Sequence, residues 1–354
     1  MGQHIEKRTI SELQMLQALP LEVKVRKTEE RIKEWVEEYG IDGVYVSFSG
    51  GKDSTVLLHI VRRLFPTIKA VFVDTGLEYP EIREFVRTFD NVDWLKPKMN
   101  FKQVIEKYGY PFISKEVSKK IYEGRKATEN GKADNYAARQ FNGTYVSKNG
   151  KTNAYSIKKW KFLYESNIPV SDRCCYVMKK TPTKLYEKQT GRKPIIGTMA
   201  SESKLRYSNW LKHGCNAFDK DIPSSQPMSF WTEQDVLYYI KINNIPIASV
   251  YGEIVKDYDG TDNVEGQLDF SELDASLGIF DIGRPCLKTT GCNRTGCMYC
   301  AYGIHLDSSP NRFERMKETH PKQYDYIMRP KEQGGLNYKE IIDWINEHGN
   351  MNIK

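Results

Sequence analysis

A strand followed by a glycine pair and then a helix constrains the fold of this chain more than any other sequence feature. Val44 to Phe48 is a short apolar, β-branched run of the kind that forms a buried strand. The run Ser49 to Ser54 follows it and reads Ser-Gly-Gly-Lys-Asp-Ser, and residues 55–61 then have a helix-like pattern. The N-terminus of a helix presents unpaired backbone N–H groups, and the helix dipole favours an anion there. The pattern therefore predicts an anion-binding turn at the end of a strand.

The residue types in this turn are richer than a plain turn requires. Its two glycines let the backbone come close to a ligand, its two serines add hydroxyl donors, and Lys52 adds a positive charge. It is not a Walker A loop, because Asp53 follows the lysine where that motif needs Ser or Thr. An ordinary glycine turn is the alternative interpretation.

Composition indicates a soluble chain with a real core. The chain has 354 residues, of which 39% are hydrophobic and 28% charged, enough for one large domain or two. No stretch approaches the roughly 18 apolar residues that span a membrane, and the first residues lack the apolar region of a secretory signal. We therefore expect a cytoplasmic protein without membrane contact. Seven cysteines in such a chain indicate metal or redox chemistry rather than disulfides.

Strand and helix patterns alternate along the chain, which predicts an α/β fold with a doubly wound parallel sheet. The predicted strands are 43–48, 69–74, 92–95 and 194–198. The predicted helices are 11–39, 53–64, 79–88, 101–108, 175–190, one near 310–328 and one near 337–347. We expect an N-terminal helical segment at 1–40, a nucleotide-binding domain at 41–260 with an insertion at about 111–165, and a cysteine-rich and helical region at 261–354. A hairpin turn is predicted at Asn149 and Gly150.

Residues 111–160 carry the basic excess of the chain. They contain eleven lysines and arginines against four acidic residues, an excess that equals the net charge of +7. Aromatic residues are interleaved with these cations, a combination that suits a nucleic-acid strand. A solvated lysine-rich insertion, or one that closes over a polyanionic nucleotide, is equally compatible.

The turn at Ser49 to Ser54 resembles the PP-loop of the ATP pyrophosphatases, which split ATP between its α- and β-phosphates. Residues 71–76 resemble the second strand of that fold. Residues 195–206 are similar to the Gly…Glu-Ser…Arg element of phosphoadenosine phosphosulfate (PAPS) reductases, and residues 227–246 to their Trp-Thr-Glu-x-Asp-Val helix. The resemblance covers roughly residues 40–305 and implies an adenine nucleotide alpha hydrolase-like fold.

The resemblance also implies roles for individual residues. Lys52 would neutralise charge on the α-phosphate of ATP, and Asp53 would help to hold Mg²⁺. Asp74 would frame the adenosine, and Arg206 would hold a substrate phosphate or the pyrophosphate. The implied nucleotide-binding residues are Ser49, Gly50, Gly51, Lys52, Asp53, Ser54, Asp74, Gly197 and Arg206.

Four cysteines resemble the 4Fe–4S pattern of adenylyl-sulfate reductases. We call Cys174, Cys175, Cys297 and Cys300 the cysteine quartet; it consists of an adjacent pair and a distant Cys-x-x-Cys pair. Adjacent cysteines bind one tetrahedral zinc only with strain, whereas each can bind a different iron of a cubane. A local zinc set of Cys286, Cys292, Cys297 and Cys300 is an alternative, as are buried structural thiols.

One departure from the family concerns the reductase reaction itself. The family's nucleophilic cysteine lies in a Glu-Cys-Gly-x-His motif, and the corresponding run here, Ala301 to His305, has Tyr302 in its place. A phenol cannot form the thiosulfonate of that reaction. Cys215 and Cys292 remain outside the quartet and are candidates to carry a persulfide, or are structural thiols.

These features predict an iron–sulfur protein that uses ATP for sulfur transfer; a nucleic acid contacted through residues 111–160 is one candidate acceptor, and the acceptor itself stays open. The sulfur donor would be a cysteine desulfurase or a thioredoxin-type protein. One alternative is an assimilatory-type adenylyl-sulfate or PAPS reductase whose nucleophile is moved or supplied by a partner. Another is a zinc-stapled nucleic-acid-binding module without catalysis.

Overall fold

A computed structural model describes residues 8–147, 149–152, 156–257 and 285–354. The chain divides into two compact units. The first comprises Met1–Asp74, Glu78–Leu95 and Thr183–Gly296, and the second comprises Thr75–Leu77, Lys96–Pro182 and Cys297–Lys354. The predicted segment 1–40 falls in the first unit and the predicted insertion 111–165 in the second.

Helices and strands alternate over much of the described chain. The helices are α1 (Ile10–Gln17), α2 (Leu21–Tyr39), α3 (Lys52–Leu64), α4 (Pro80–Arg87), α5 (Phe101–Tyr108), α6 (Lys115–Glu129), α7 (Tyr136–Asn142), α8 (Lys161–Glu165), α9 (Arg173–Cys175), α10 (Thr181–Thr190), α11 (Lys204–His213), α12 (Glu233–Ile242), α13 (Arg312–Thr319), α14 (Pro321–Met328) and α15 (Tyr338–Gly349). The strands are β1 (Val44–Ser47), β2 (Ala70–Val73), β3 (Val92–Leu95), β4 (Phe112–Ile113), β5 (Lys193–Ile196), β6 (Asn216–Ala217), β7 (Ser224–Ser225), β8 (Ile254–Lys256), β9 (Leu287–Thr289) and β10 (Ala301–Tyr302). Among the described helices none is both long and apolar enough to cross a membrane.

A six-stranded sheet organises the first unit. Its strand order is β3-β2-β1-β5-β7-β6, and all neighbours pair in parallel except β6 and β7. Val46 of β1 lies opposite Ala70 on one side and Ile195 on the other. The four strands predicted from the sequence are present, and the mostly parallel sheet confirms the predicted α/β fold class.

The core of the first unit is built from helices α2, α3 and α12 packed with the central strands. Ile32 and Trp35 of α2, Val46 of β1, Leu57 of α3 and Trp231 just before α12 are each fully buried within one apolar cluster. Strands β1 and β2 are almost wholly apolar, as is usual where a parallel sheet is covered on both faces. Polar side chains such as Asp74 follow these strands in the loops at their ends.

The single helix predicted over 11–39 is wrong. It is two helices, because Pro20 lies between Gln17 and Leu21 in an extended conformation, with φ −55° and ψ 148°. Proline has no N–H to donate, and its ring clashes with the carbonyl four residues earlier, so a helix stops before it. The predicted end at Gly40 is confirmed, since Gly40 follows α2 with φ +74°.

Two other predicted helices are also divided. The helix predicted at 175–190 begins as α9, continues as a π-helical turn over Tyr176–Lys180 and becomes α10. The helix predicted near 310–328 is α13 and α14, which meet at His320 with Pro321 as the first residue of α14. Proline is well suited to that first position because its missing N–H has no intrahelical partner there.

The second unit packs aromatic side chains around a short parallel pair of strands. Phe112 of β4 lies opposite Ala301 of β10, and Tyr338 of α15 contacts the ring of Phe112 at 5.1 Å between centroids. The predicted turn at Asn149 and Gly150 is confirmed, because Val146 and Thr152 form an antiparallel bridge around it. The loop-rich stretch predicted at 251–285 lies largely outside the described residues; its described start contains β8, which pairs with β9.

Candidate functional site

The turn after β1 can be made only with glycine. Gly50 has φ +72°, and a Cβ atom there would lie 2.7 Å from Cγ2 of Val86 and 2.9 Å from Cγ2 of Ile82. Helix α4, which contributes both of those side chains, thus presses directly on the turn. Glycine at this position is therefore required by the packing of α4 as well as by φ.

The two serines of the turn hold it closed. The Ser49 and Ser54 hydroxyl oxygens are 3.0 Å apart, the Ser49 N–H donates to Ser54 Oγ at 3.2 Å, and Ser54 Oγ donates to the Gly51 carbonyl at 3.0 Å. Helix α3 starts directly after Gly51, which provides no side-chain cap. The N-terminal N–H groups of α3 thus face the turn, which is the geometry that binds an anion.

Lys52 is buried although it is a cation. Only 5% of it is exposed, and its Nζ donates to Glu233 Oε1 at 3.2 Å. The same ammonium lies 5.3 Å from the ring centroid of Tyr251. A buried ammonium is costly unless it is paired, so this carboxylate and ring stabilise Lys52 at the helix N-terminus.

Cations converge on Asp53. Burial raises the pKa of Asp53, while Lys52, Arg294 and Arg206 each oppose that rise. Glu202 forms an ion pair with Arg206 and a second one with Arg294, the latter at 3.1 Å. Burial, and then the charge of Arg294, lowers the pKa of Arg206. Arg206 and Arg294 therefore lie close enough together for the charge of one to lower the pKa of the other. Cations held this close together are expected at a site that binds a polyanion.

The structure places the other predicted nucleotide residues at the same strand ends. Asp74 is buried after β2 and accepts a hydrogen bond from Nη2 of Arg83 at 2.8 Å. Gly197 follows β5, and a Cβ atom there would lie 3.1 Å from the Asp53 carbonyl oxygen. Both residues follow strands adjacent to β1 in the sheet, where ligands of open parallel sheets bind.

Four polar residues at this site were missed from the sequence. Glu233 begins α12, Tyr251 lies before β8, and Arg294 and Thr295 follow β9. The Tyr251 hydroxyl is hydrogen-bonded to Thr295 Oγ1, and burial raises the pKa of Tyr251 to about 12. The sequence carries only a weak signal for them: Arg294 and Thr295 lie between Cys292 and Cys297, and Glu233 and Tyr251 lie far from the PP-loop along the chain.

The cysteine quartet belongs entirely to the second unit. Cys174 and Cys175 form α9, and the Cys300 N–H donates to the Cys297 carbonyl at 3.1 Å in a tight turn. A hydrogen bond between the adjacent thiols raises the pKa of Cys174 and lowers that of Cys175. The charges of Cys300 and Cys297 also raise the pKa of Cys174, so all four thiols are near one another.

These thiols are neighbours, but they are not drawn into a closed ligand set. Within the described ranges, no group of three or more His, Cys, Asp or Glu side chains is placed so that it could hold a metal ion. This applies to the quartet and to the alternative zinc set alike. To bind iron, Cys174 and Cys175 would have to give up their mutual hydrogen bond and their protons.

Tyr302 occupies a buried position beside the quartet. Its hydroxyl donates to the Ser171 carbonyl at 3.1 Å, and burial, followed by the charges of Cys174 and Cys175, raises its pKa far above the usual value. The Tyr302 hydroxyl is therefore a protonated hydrogen-bond donor, held by the backbone beside the quartet at the position where the sequence departs from the family motif.

The two remaining candidate cysteines lie in the first unit. The Cys292 N–H donates to the Val250 carbonyl, and the Cys292 carbonyl accepts from Thr289 Oγ1, so the backbone of this residue is held by its neighbours. The Cys215 thiol lies 3.3 Å from Ser229 Oγ, and burial raises its pKa. A raised pKa disfavours the thiolate that nucleophilic chemistry needs.

The basic stretch at 111–160 uses one of its cations internally. Arg125 of α6 donates to the carbonyls of Leu163, Tyr164, Ser166 and Ile168, and burial lowers its pKa. It is therefore a structural residue of the second unit. Other cations of the stretch are exposed, including Lys115, Lys132, Lys151 and Lys158.

A protein-family model described as phosphoadenosine phosphosulfate reductase domain matches residues 43–135 and 121–302. A phosphoadenosine 5′-phosphosulfate reductase of Xylella fastidiosa strain M23 is 33% identical over 87 residues, which are 25% of this chain and 35% of that protein. An uncharacterised protein of Methanocaldococcus jannaschii is 38% identical over 73 residues, 19% of this chain and 18% of that protein. The matched segments thus span about a fifth to a third of these relatives.

Among solved structures, the phosphate complex of a phosphoadenylyl-sulfate reductase from Candida auris matches with a TM-score of 0.37 and 14% identity. The match covers 71% of this chain and 97% of that one.

Proposed function

Because this chain belongs to the phosphoadenosine phosphosulfate reductase family, we propose that it is a PP-loop enzyme that binds ATP on Ser49–Ser54 and uses it to activate a substrate for sulfur transfer. One observation carries the proposal: Lys52, Arg206 and Arg294 gather around the uncapped N-terminus of α3. Each of these cations is paired with a carboxylate, Lys52 with Glu233 and the two arginines with Glu202, and would turn from that partner to the phosphates when a nucleotide binds. They suit the triphosphate of a nucleotide.

Each residue of the site has a role in this reaction. Lys52 leaves its pairing with Glu233 and neutralises charge that develops on the α-phosphate when the bond to the β-phosphate breaks. Arg206 and Arg294, which share Glu202, hold the leaving pyrophosphate. Asp53 is the residue that would hold Mg²⁺, whose contribution is to neutralise the phosphates.

In the same proposal the cysteine quartet holds a 4Fe–4S cluster, for which four thiolates are the required ligands. Such a cluster, when bound, would supply the sulfur or electron chemistry of the transfer step. The protein's own contribution is the proximity of the four thiols and the burial of Cys174, which is 8% exposed.

The proposed acceptor is a nucleic acid bound through the exposed lysines of 111–160, and the proposed donor is a cysteine desulfurase or a thioredoxin-type protein. Lysine contacts to phosphates release counterions, so binding of an RNA or DNA strand should weaken steeply with salt. Filter binding at two or more salt concentrations tests this, and binding that is absent or insensitive to salt argues against a nucleic-acid acceptor.

The test of the proposed reaction is a pyrophosphate assay with ATP and Mg²⁺ on anaerobically prepared protein. Turnover should be lost in Lys52→Ala and in Asp53→Ala, while both variants keep the circular dichroism of the parent. Lys33→Ala changes an exposed lysine of α2 and serves as the matched control. Unchanged pyrophosphate release in both site variants would refute the assignment.

The second candidate function is reduction of adenylyl sulfate or PAPS, which the names of the Xylella relatives favour. Against it stands the protonated Tyr302 at the position of the family's nucleophile. A sulfite assay with either sulfonucleotide and a thioredoxin-type reductant separates the two functions. Sulfite release at enzyme-like turnover would establish the reductase, and pyrophosphate release from ATP without sulfite would support sulfur transfer.

A further inference from the structure

A cavity of about 600 Å³ lies in the first unit, away from the PP-loop residues. Helices α1, α2 and α11 and the strand β6 contribute its lining, which includes none of residues 49–54. Its volume falls within the range of roughly 300–1,000 Å³ that is usual for small-molecule sites. Cys215, which the proposed function leaves without a role, is part of the lining.

The lining is mainly apolar and partly aromatic. It contains Leu16, Leu19, Phe230 and the exposed ring of Phe218, with Trp210 also contributing. Such a surface favours a ligand with a flat or branched apolar body, because burial of apolar area is the main source of affinity.

The charged groups of the lining favour an anion. Its acids are engaged within the fold, since Glu12 accepts a hydrogen bond from the Thr9 N–H and Glu34 pairs with Arg31. The further charged residues of the lining, Arg8 and Lys27, are both cations. The positive charge available to a ligand therefore exceeds the negative charge.

Arg8 has a defined place in this cavity. Its guanidinium packs on Gly214, where a Cβ atom would lie 2.6 Å from Arg8 Cζ. Its charge also reaches Cys215, because Arg8 is among the groups that lower the pKa of that thiol against the effect of burial. The absence of a side chain at Gly214 thus leaves room for the guanidinium beside the thiol.

A buried donor in the lining has a weak acceptor. Trp210 is 3% exposed, and its Nε1 finds no oxygen or nitrogen acceptor among the described residues. The indole N–H is instead directed at the Cys215 thiol, where its hydrogen bond lowers the pKa of that thiol against the effect of burial, so it points to the same part of the cavity as Arg8. A thiol accepts hydrogen bonds weakly, and an anionic oxygen of a ligand is the stronger acceptor.

We propose that this cavity is a second binding site, which takes a small organic anion with an apolar, aromatic body. The anionic group lies between the Arg8 guanidinium and the Trp210 N–H, and the apolar body fills the space lined by Leu16, Leu19, Phe218 and Phe230. Cys215 lies in the wall next to the anionic group and is covered when the ligand binds.

Titration of the full chain with 8-anilinonaphthalene-1-sulfonate tests the proposal, because this dye has an aromatic body with one anionic group. Saturable 1:1 binding is expected, and N-phenyl-1-naphthylamine, the same body without the sulfonate, should bind more weakly. Arg8→Gln should weaken dye binding by about tenfold or more, since hydrogen bonds to charged groups are worth about 1.5–3 kcal/mol. Arg26→Gln, an exposed arginine of α2 outside the cavity, is the matched control.

Alkylation with iodoacetamide, read by peptide mass spectrometry, locates the dye in the unaltered protein. The dye should slow alkylation of Cys215 and leave the exposed Cys286 unchanged. Dye binding that is equal in the parent and in Arg8→Gln, or that does not protect Cys215, would overturn the proposal. Since the alkylation experiment needs no substitution, a variant that failed to fold would not prevent a decision.

Discussion

Replacing Lys24 by Met should destabilise the first unit strongly, because it breaks a buried ion pair. Lys24 Nζ donates to both carboxylate oxygens of Asp235 at 2.8 Å, and the two side chains are only 2% and 7% exposed. The pair joins α2 to α12, the helix whose first residue is Glu233. The carboxylate of Asp235 also accepts from the Thr232 N–H and hydroxyl, so it forms the cap of α12 as well.

The size of the effect follows from what the substitution leaves behind. Methionine keeps much of the apolar stem of Lys24, so little packing is lost, but Asp235 becomes a buried carboxylate with only neutral donors. Removing one partner of a buried ion pair costs about 3–5 kcal/mol. For a unit of this size each kcal/mol lowers the melting temperature by about 2–4 °C. Lys33→Met, on the exposed face of α2, should change stability by no more than about 0.5 kcal/mol.

Urea unfolding followed by circular dichroism measures these differences as a double-mutant cycle with Asp235→Asn. The double variant should lose less stability than the sum of the two single variants, since it leaves no unpaired buried charge. If Lys24→Met behaved like Lys33→Met, or if the two single effects simply added, the pair would not hold α12 to α2 and the reasoning would be refuted.

Three further predictions address other parts of the structure. Gly50→Ala should abolish ATP binding measured by calorimetry and lower the melting temperature, because φ +72° and the contact with Val86 both exclude a Cβ atom; a variant that binds ATP normally would contradict this. Ser replacement of any member of the cysteine quartet should remove the absorbance at about 400 nm expected of an iron–sulfur protein, whereas Cys286→Ser should not; metal analysis that finds zinc, lost in Cys286→Ser and kept in Cys174→Ser and Cys175→Ser, would favour the zinc set. Hydrogen bonds from Arg312 lower the pKa of Asp307, so their stabilisation is present above the ordinary Asp pKa of about 3.9 and is lost as the pH falls through the lower folded value. Asp307→Asn should therefore flatten the acid limb of the stability curve, and an unchanged limb would show that the pair does not contribute.

The sequence alone determined the features that depend on near neighbours along the chain. The turn at Gly50 is one, since its φ is available without cost only to glycine. The helix α12 is another, because Thr232 and Asp235 cap it reciprocally within four residues. Strands β1 and β2 belong to the same class, since their apolar runs, Val-Tyr-Val-Ser and Ala-Val-Phe-Val, can be read directly.

Two helix predictions failed because the helical pattern of the sequence continues across a point where the backbone departs from the α-helix. The periodic pattern over residues 11–39 continues across Pro20, and the proline still divides the helix because it removes a donor and blocks a carbonyl. The π-helical turn at Tyr176–Lys180 has no comparable marker in the residues themselves. Its backbone hydrogen bonds join residues five apart, whereas those of an α-helix join residues four apart. The residue types in this stretch do not distinguish the two patterns.

Only the tertiary structure decided which distant residues share a site. Arg294 and Glu233 reach Asp53 and Lys52 because α12 packs beside α3 and β9 packs against α12, and side chains so far apart in sequence leave no periodic signal. The structure likewise separates Cys215 and Cys292 from the unit that contains the quartet. Local conformation depends on a few consecutive residues. Which separate segments meet depends instead on how their apolar faces pack together. It depends also on the polar groups that this packing buries, because each of them needs a hydrogen-bond partner.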